Sequence, residues 1–152
     1  MNPKKIKLNK FNDERGYLLE LLPKKFKNIF KYSIITSCKK NVIRGLHYDK
    51  FLNEKKLIYV IKGEILDVTV NINKNKKIYY NKLKKGDALF IPSKFAHGYK
   101  CMARENVLLY FLSKDYNPKN QKGILWNDNK LKIKWNIKTP IISTKDKMLP
   151  NL

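Results

Sequence analysis

The clearest pattern in the chain lies at residues 66–73, where Leu66, Val68, Val70 and Ile72 alternate with Asp67, Thr69, Asn71 and Asn73. A period of two sends successive side chains to opposite faces of a strand, so this stretch predicts a strand with one apolar and one polar face. Just before it, residues 57–61 form an unbroken apolar run with β-branched members, as expected of a strand buried on both faces. Lys62-Gly63 between them predicts a tight turn. Residues 78–83 and 88–91 continue in β-like sequence, separated by Lys85-Gly86-Asp87 and closed by Pro92. Residues 73–77 are polar and predict a turn. Residues 106–112 predict a further strand, broken by Asn117-Pro118.

The first third is less regular. Residues 5–10 alternate loosely, with Ile6 and Leu8 on one side, and predict a first strand. Residues 12–16 are a turn cluster whose Gly16 can take a positive φ. Residues 17–22 fit a strand or a short helix, ended by Pro23. Phe26, Ile29 and Phe30 have helical spacing over little more than one turn, and residues 32–36 read as a strand. Near the end, Ile133, Trp135 and Ile137 alternate with Lys132, Lys134 and Asn136. No segment sustains a 3.6-residue period. Many short strands about ten residues apart, with Gly, Pro and Asn turns, predict an all-β antiparallel sandwich or barrel with little helix. At 152 residues, without internal repeats or a linker, the chain reads as one domain over residues 1–152.

Charge adds a question. The formal net charge is +22, from 34 Lys and Arg against 12 Asp and Glu. An anionic partner is one reading. A compositional habit is the other, because Lys, Asn and Ile are abundant together. The lysines are spread along the chain and form no basic tail, which argues against nucleic acid. Cys38 and Cys101 have no Cys-x-x-Cys partner and read as reduced thiols of a cytoplasmic protein. The N-terminus has no signal peptide pattern, and no apolar run approaches the ~20 residues of a membrane helix.

The chain has only two histidines. His47 lies in Val42-Ile43-Arg44-Gly45-Leu46-His47-Tyr48-Asp49, and His97 in Ile91-Pro92-Ser93-Lys94-Phe95-Ala96-His97-Gly98-Tyr99. Both segments hold a glycine and flank strands, the loop and strand-mouth positions where sites concentrate. We read them as facing one pocket of a small β-barrel, with His47 moving protons. Metal-binding barrels of this size usually present His-x-His and a carboxylate. Here His47 is followed by Tyr48 and Asp49, so one ligand is missing. A His47/Asp49/Glu54/His97 set stays open. No Gly-x-Ser-x-Gly elbow and no P-loop is present.

The His47 segment resembles the Val-Leu-Arg-Gly-Leu-His-(Phe/Tyr) motif of the dTDP-4-dehydrorhamnose 3,5-epimerase family. The likeness runs nearly the whole chain. It includes Asp13-Glu14-Arg15-Gly16-Tyr17; Lys56-Leu57-Ile58-Tyr59-Val60 with Gly63-Glu64-Ile65-Leu66-Asp67-Val68; and Phe95-Ala96-His97-Gly98-Tyr99. Gly123-Ile124-Leu125-Trp126-Asn127-Asp128, Ile133-Lys134-Trp135 and Ile142-Ser143-Thr144-Lys145-Asp146 follow in the family's order. The resemblance implies a cupin-like jelly-roll barrel without metal or other cofactor, usually a homodimer, acting on a nucleotide-linked 4-keto-6-deoxy sugar in deoxysugar or surface polysaccharide biosynthesis. It implies His47 as general base, Asp146 as its paired carboxylate, Tyr110 as the acid on the opposite ring face and Lys56 as the cation beside the 4-oxygen. Arg44, His97 and Lys145 match pocket residues, and Arg15 and Glu20 match a nucleotide-contacting segment.

That assignment agrees with the chemistry. A hydrogen next to a ketone is acidic because the enolate delocalises onto oxygen, a cation stabilises that charge, and a histidine near its ordinary pKa of ~6.5 suits the removal. Four departures from the family's pattern leave the nucleotide, the sugar and the inverted centre (C3, C5 or both) open. The Gln-x-Asn-x-Ser pattern is absent at residues 32–37, Asp49 replaces Gln, Ser93-Lys94 replaces Glu-Gly, and Asp115-Tyr116 replaces Tyr-Tyr. The competing readings are a 3,4-ketoisomerase on the same scaffold and a non-enzymatic anion- or nucleic-acid-binding barrel.

Overall fold

The computed structural model of the chain describes residues 1–73 and 75–152, so Lys74, in the predicted turn at 73–77, lies outside the described residues. The strands are β1 (Lys4–Ile6), β2 (Asn9–Asp13), β3 (Gly16–Glu20), β4 (Tyr32–Lys39), β5 (Ile43–Asp49), β6 (Lys56–Lys62), β7 (Glu64–Asn71), β8 (Ile78–Lys84), β9 (Ala88–Ile91), β10 (Phe95–Cys101), β11 (Glu105–Leu112) and β12 (Gln121–Gly123). They form two five-stranded sheets, β1-β9-β6-β11-β4 and β12-β5-β10-β7-β8, while β2 and β3 make a separate hairpin. Every strand pair is antiparallel. Among the described residues the one α-helix, α1 (Thr144–Lys147), is a single turn. Two sheets face to face with this connectivity are the jelly-roll architecture expected from the sequence.

Three apolar layers hold the sheets. Between them, Ile58, Val60, Leu89 and Leu108 meet Ile65, Leu83 and Cys101. On the outer face of the first sheet, Leu57, Tyr59 and Phe90 pack with Ile6 and Phe26. On the outer face of the second, Val68, Val70, Leu46 and Ala96 pack under Ile124, Leu131 and Trp135 of the C-terminal segment. Strand β6 sits mid-sheet and serves the inner and outer layers with alternate residues, so its run is apolar without a break.

The polar face of β7 points into the barrel. Asp67 and Thr69 are fully buried, on the same side as Ile65 of the inner layer. Its valines instead face the covered outer layer. An antiparallel strand that alternates usually turns its polar side to water, but here the C-terminal segment has taken the outer face and the barrel lumen needs the polar one.

Several local expectations change. The first strand at residues 5–10 divides into β1 and β2, which join different sheets. Residues 17–22 are β-strand only as far as Glu20. The helical spacing at Phe26 yields a three-residue 3-10 turn, Lys24–Phe26. Phe26 instead stacks on Phe90 with centroids 4.9 Å apart, and Asn28 at φ 70° stops propagation. The strand at 32–36 runs on to Lys39, so Cys38 is buried, its sulfur 2.6 Å from that of Cys101, both free thiols. Residues 132–137 form no strand. Lys132 and Asn136 have positive φ, Trp135 Nε1 donates to the Trp126 carbonyl at 2.7 Å, and Lys100 Nζ donates to the Trp135 carbonyl at 2.5 Å. Among the described residues, no helix is long and apolar enough to cross a membrane.

Candidate active site

His47 and His97 lie inside strands rather than in loops. They sit opposite one another across the β5–β10 pair, and a bulge follows between His97 and Tyr99. Two glycines let these backbones close up. A Cβ on Gly45, at φ 106°, would stand 2.6 Å from the His97 carbonyl oxygen, and one on Gly98 would stand 2.7 Å from that of Arg44. A side chain at either position would push the histidines apart.

The pocket they face measures about 290 Å³ and is lined by Arg44, Lys56, Tyr110 and Lys145 as well as both histidines. Its walls come from both sheets and from α1, so it forms only once the barrel closes.

Each histidine is held by a carboxylate. His47 Nε2 donates to Asp146 Oδ1 at 2.7 Å, and the other carboxylate oxygen accepts the Gly45 amide at 3.2 Å. Asp146 arrives from α1, whose start is capped by Ser143 Oγ accepting the Asp146 amide at 3.1 Å. Burial works to raise the Asp146 carboxyl, but the hydrogen bond and charge of His47, the Gly45 amide and Lys145 outweigh it and hold the group below its ordinary range. An ionised carboxylate only accepts, so the Nε2 proton belongs to His47, and in the neutral form of the ring Nδ1 is the acceptor. His97 Nε2 donates to Asp67 Oδ2 at 2.6 Å. Burial pushes His97 below its ordinary value; Asp67 opposes this, while Lys56 and His47 reinforce it. His97 is therefore neutral in the folded protein.

Tyr110 projects inward from β11. Its ring centroid lies 6.0 Å from His97 and 6.4 Å from Tyr99. Burial pushes its phenol well above the usual range, with Tyr99 and Asp67 adding to the effect, so it rests protonated. Tyr99 is raised for the same reason of burial, and its hydroxyl lies 3.2 Å from Thr36 Oγ1. Lys56, at the start of β6, lies 3.3 Å from Glu54 with both side chains largely buried.

The structure thus brings together seven of the nine residues singled out in the sequence: His47, Tyr110, Asp146, Lys56, Arg44, His97 and Lys145. Arg15 and Glu20 stay apart. They belong to the exposed β2–β3 hairpin, where Arg15 pairs with Asp13 at 2.6 Å and Glu20 accepts from Asn9 at 2.8 Å. The conceivable metal set His47/Asp49/Glu54/His97 is dispersed over separate partners, with Asp49 near Lys114 at 3.9 Å. Among the described residues no three such ligands converge. Asp67 and the Glu54–Lys56 pairing went unrecognised in the sequence. Asp67 had a signal, a carboxylate within a strand flanked by buried strands; Glu54 stood out only as one member of that metal set.

The family model for dTDP-4-dehydrorhamnose 3,5-epimerase matches residues 2–152. The Shigella flexneri protein of that name is 31% identical over 150 residues, covering 90% of this chain and 83% of its own. The crystal structure of the Bacillus anthracis enzyme, with TDP and PPi bound, superposes with a TM-score of 0.90 at 31% identity, covering 99% of this chain and 94% of its own. The Legionella pneumophila enzyme, in complex with dTDP-4-keto-L-rhamnose, superposes with a TM-score of 0.87 at 26% identity over 98% of this chain and 87% of its own. Two histidine–carboxylate pairs inside a jelly roll and a match over the whole length lead to one conclusion: the chain belongs to the dTDP-4-dehydrorhamnose 3,5-epimerase family.

Proposed function

We propose that this protein is an isomerase that inverts C3, C5 or both of a dTDP-linked 4-keto-6-deoxy sugar by enolisation. The observation that carries this reading is the His47–Asp146 pair. A carboxylate anchors Nε2, and the ring lines a pocket that also holds a cation and a protonated phenol. His47 Nδ1 takes the proton from the carbon next to the ketone. The electron pair moves onto the 4-oxygen, where the Lys56 ammonium stabilises it. Tyr110 returns a proton to the same carbon from the other face, and the centre is inverted. His47 then loses its proton and Tyr110 regains one through solvent at the pocket mouth. The ketone is itself the electron sink, so the chemistry calls for no cofactor. Arg44 and Lys145 answer the diphosphate, and neutral His97 offers a hydrogen-bonding surface without adding charge.

The reading includes a cytoplasmic homodimer. At about 290 Å³ the pocket is at the small end of ligand sites, ~300–1,000 Å³, and holds the sugar better than the whole nucleotide. Phe11, Tyr17 and Leu18 are 57%, 56% and 62% exposed on a hairpin that pairs only with itself. A second copy covering it would bury those side chains and give Arg15 and Glu20 a nucleotide to meet.

The test is solvent-deuterium exchange followed by NMR on dTDP- and GDP-linked 4-keto-6-deoxyhexoses. Deuterium at C3 or C5, with product of inverted configuration, is the expected result. In Tyr110→Phe the exchange should persist while inversion falls, because the proton still leaves but returns on the same side. A folded protein that exchanges neither position overturns the reading.

A further inference from the structure

Among the described residues, Glu54 and Lys56 form an ion pair in the pocket, and the mechanism gives Glu54 no role. Resting on the reading above, we propose that Glu54 is a positioning residue that aims the Lys56 ammonium at the substrate's ketone oxygen. Of the four cations lining the pocket, Arg44, Lys56, Lys122 and Lys145, only Lys56 has a carboxylate within 4 Å among the described residues. A lysine carries a long stem with many rotamers, and an oxyanion stabiliser acts only if it is in place before charge develops. Glu54 pairs with the ammonium as a salt bridge and so limits where the stem can place it. At 3.3 Å the contact is longer than a tight charge-assisted hydrogen bond of ~2.7–2.9 Å, so the ammonium is directed without being withdrawn from the pocket.

The backbone between them is built to hold this geometry. Glu54 and Lys56 stand on either side of Lys55, and both line the pocket. Lys55, between them, is clamped to Ser113: its amide donates to Ser113 Oγ at 2.8 Å, and its carbonyl accepts the Ser113 amide at 3.0 Å. The pairing also explains how a carboxylate only 9% exposed is tolerated in a pocket that must receive a diphosphate. Unpaired, it would repel the substrate and carry a large desolvation cost.

A double-mutant cycle tests the proposal. The wild-type protein, Glu54→Gln, Lys56→Met and the double variant are compared for kcat, KM and deuterium exchange on a dTDP-linked 4-keto-6-deoxyhexose, with thermal melts confirming the fold. The amide of Glu54→Gln keeps the shape and an acceptor oxygen, so the variant should fold. It should lose roughly 3- to 30-fold in kcat and in exchange together, with KM within about 3-fold. Adding Glu54→Gln to Lys56→Met should cost nothing further, because a residue that acts through Lys56 has nothing left to aim. Independent, multiplying losses, or a change confined to KM, would overturn the proposal and make Glu54 a substrate contact. Full activity in Glu54→Gln would overturn it too. Absence of exchange in the wild type, or full activity in Lys56→Met, would instead overturn the mechanism on which the proposal rests.

Discussion

The two histidine–carboxylate pairs use the same chemical parts on neighbouring strands and end in different states. The His47 side chain is 35% exposed and opens to the pocket. That of His97 is 5% exposed, and its partner Asp67 is fully buried. Asp146 reaches His47 from a C-terminal turn 99 residues away, whereas Asp67 comes from β7, directly beside β10. One pair joins distant parts of the chain and opens to the pocket. The other is part of the sheet interior and keeps its imidazole neutral. The residue types alone do not separate the open histidine from the buried one; access and burial do.

The sharpest way to break the comparison is to make the same substitution in each pair. His47→Asn should reduce turnover on the order of 10²–10⁴-fold and lower stability less than the His97 variant, since Asp146 keeps the Gly45 amide. His97→Asn should do the reverse in emphasis. It leaves Asp67 short of its buried partner and costs roughly 2–4 kcal/mol of stability, read from a denaturant midpoint, with a smaller loss of rate. Equal effects from the two variants would refute the division of roles.

Asp146→Asn is the next largest effect. The neutral amide no longer dictates which ring nitrogen carries the proton, so kcat should fall on the order of 10²-fold while exchange and inversion fall together. An unchanged rate would mean that the α1 carboxylate only anchors the turn.

The smallest effect is in the pH dependence of stability, where the two pairs separate by window. His97 is depressed by burial, so the unfolded chain takes up its proton first as pH drops below ~6.5. Stability should then fall with falling pH, by at most about 1.4 kcal/mol per unit for one proton, and His97→Asn should flatten that slope. Asp146 is also depressed, but as a carboxylate its contribution is complete above the usual range near ~4 and is lost only as pH falls through its lower folded value. Asp146→Asn should change only that acid end. Urea melts from pH 8 to 3 measure both windows.

Much of this was legible along the chain. The alternation at residues 66–73, the apolar run at 57–61 and the turns at Gly63 and Gly86 are local patterns, and period and turn chemistry depend on neighbouring residues, so they specified β6, β7, β9 and β11 well. The motifs around His47, His97 and Asp146 carried a family resemblance, and it was that resemblance which implied enolisation, with Tyr110 as the acid on the opposite face. Other features depended on contacts between residues far apart in sequence. Only the closed barrel decided that the polar face of β7 turns inward, because that required the C-terminal segment to cover the valines. Only packing turned the helical spacing at Phe26 into an aromatic stack on Phe90, and the alternation at 132–137 into an irregular cap tied down by Lys100. The pairing of Glu54 with Lys56 was equally out of reach, since a clamp from Ser113, far along the chain, sets it. The sequence determined the strands and the reactive groups through local periodicity and side-chain chemistry. The tertiary structure decided which histidine is open, which is buried, and what each polar group faces, because burial and distance are properties of the whole fold.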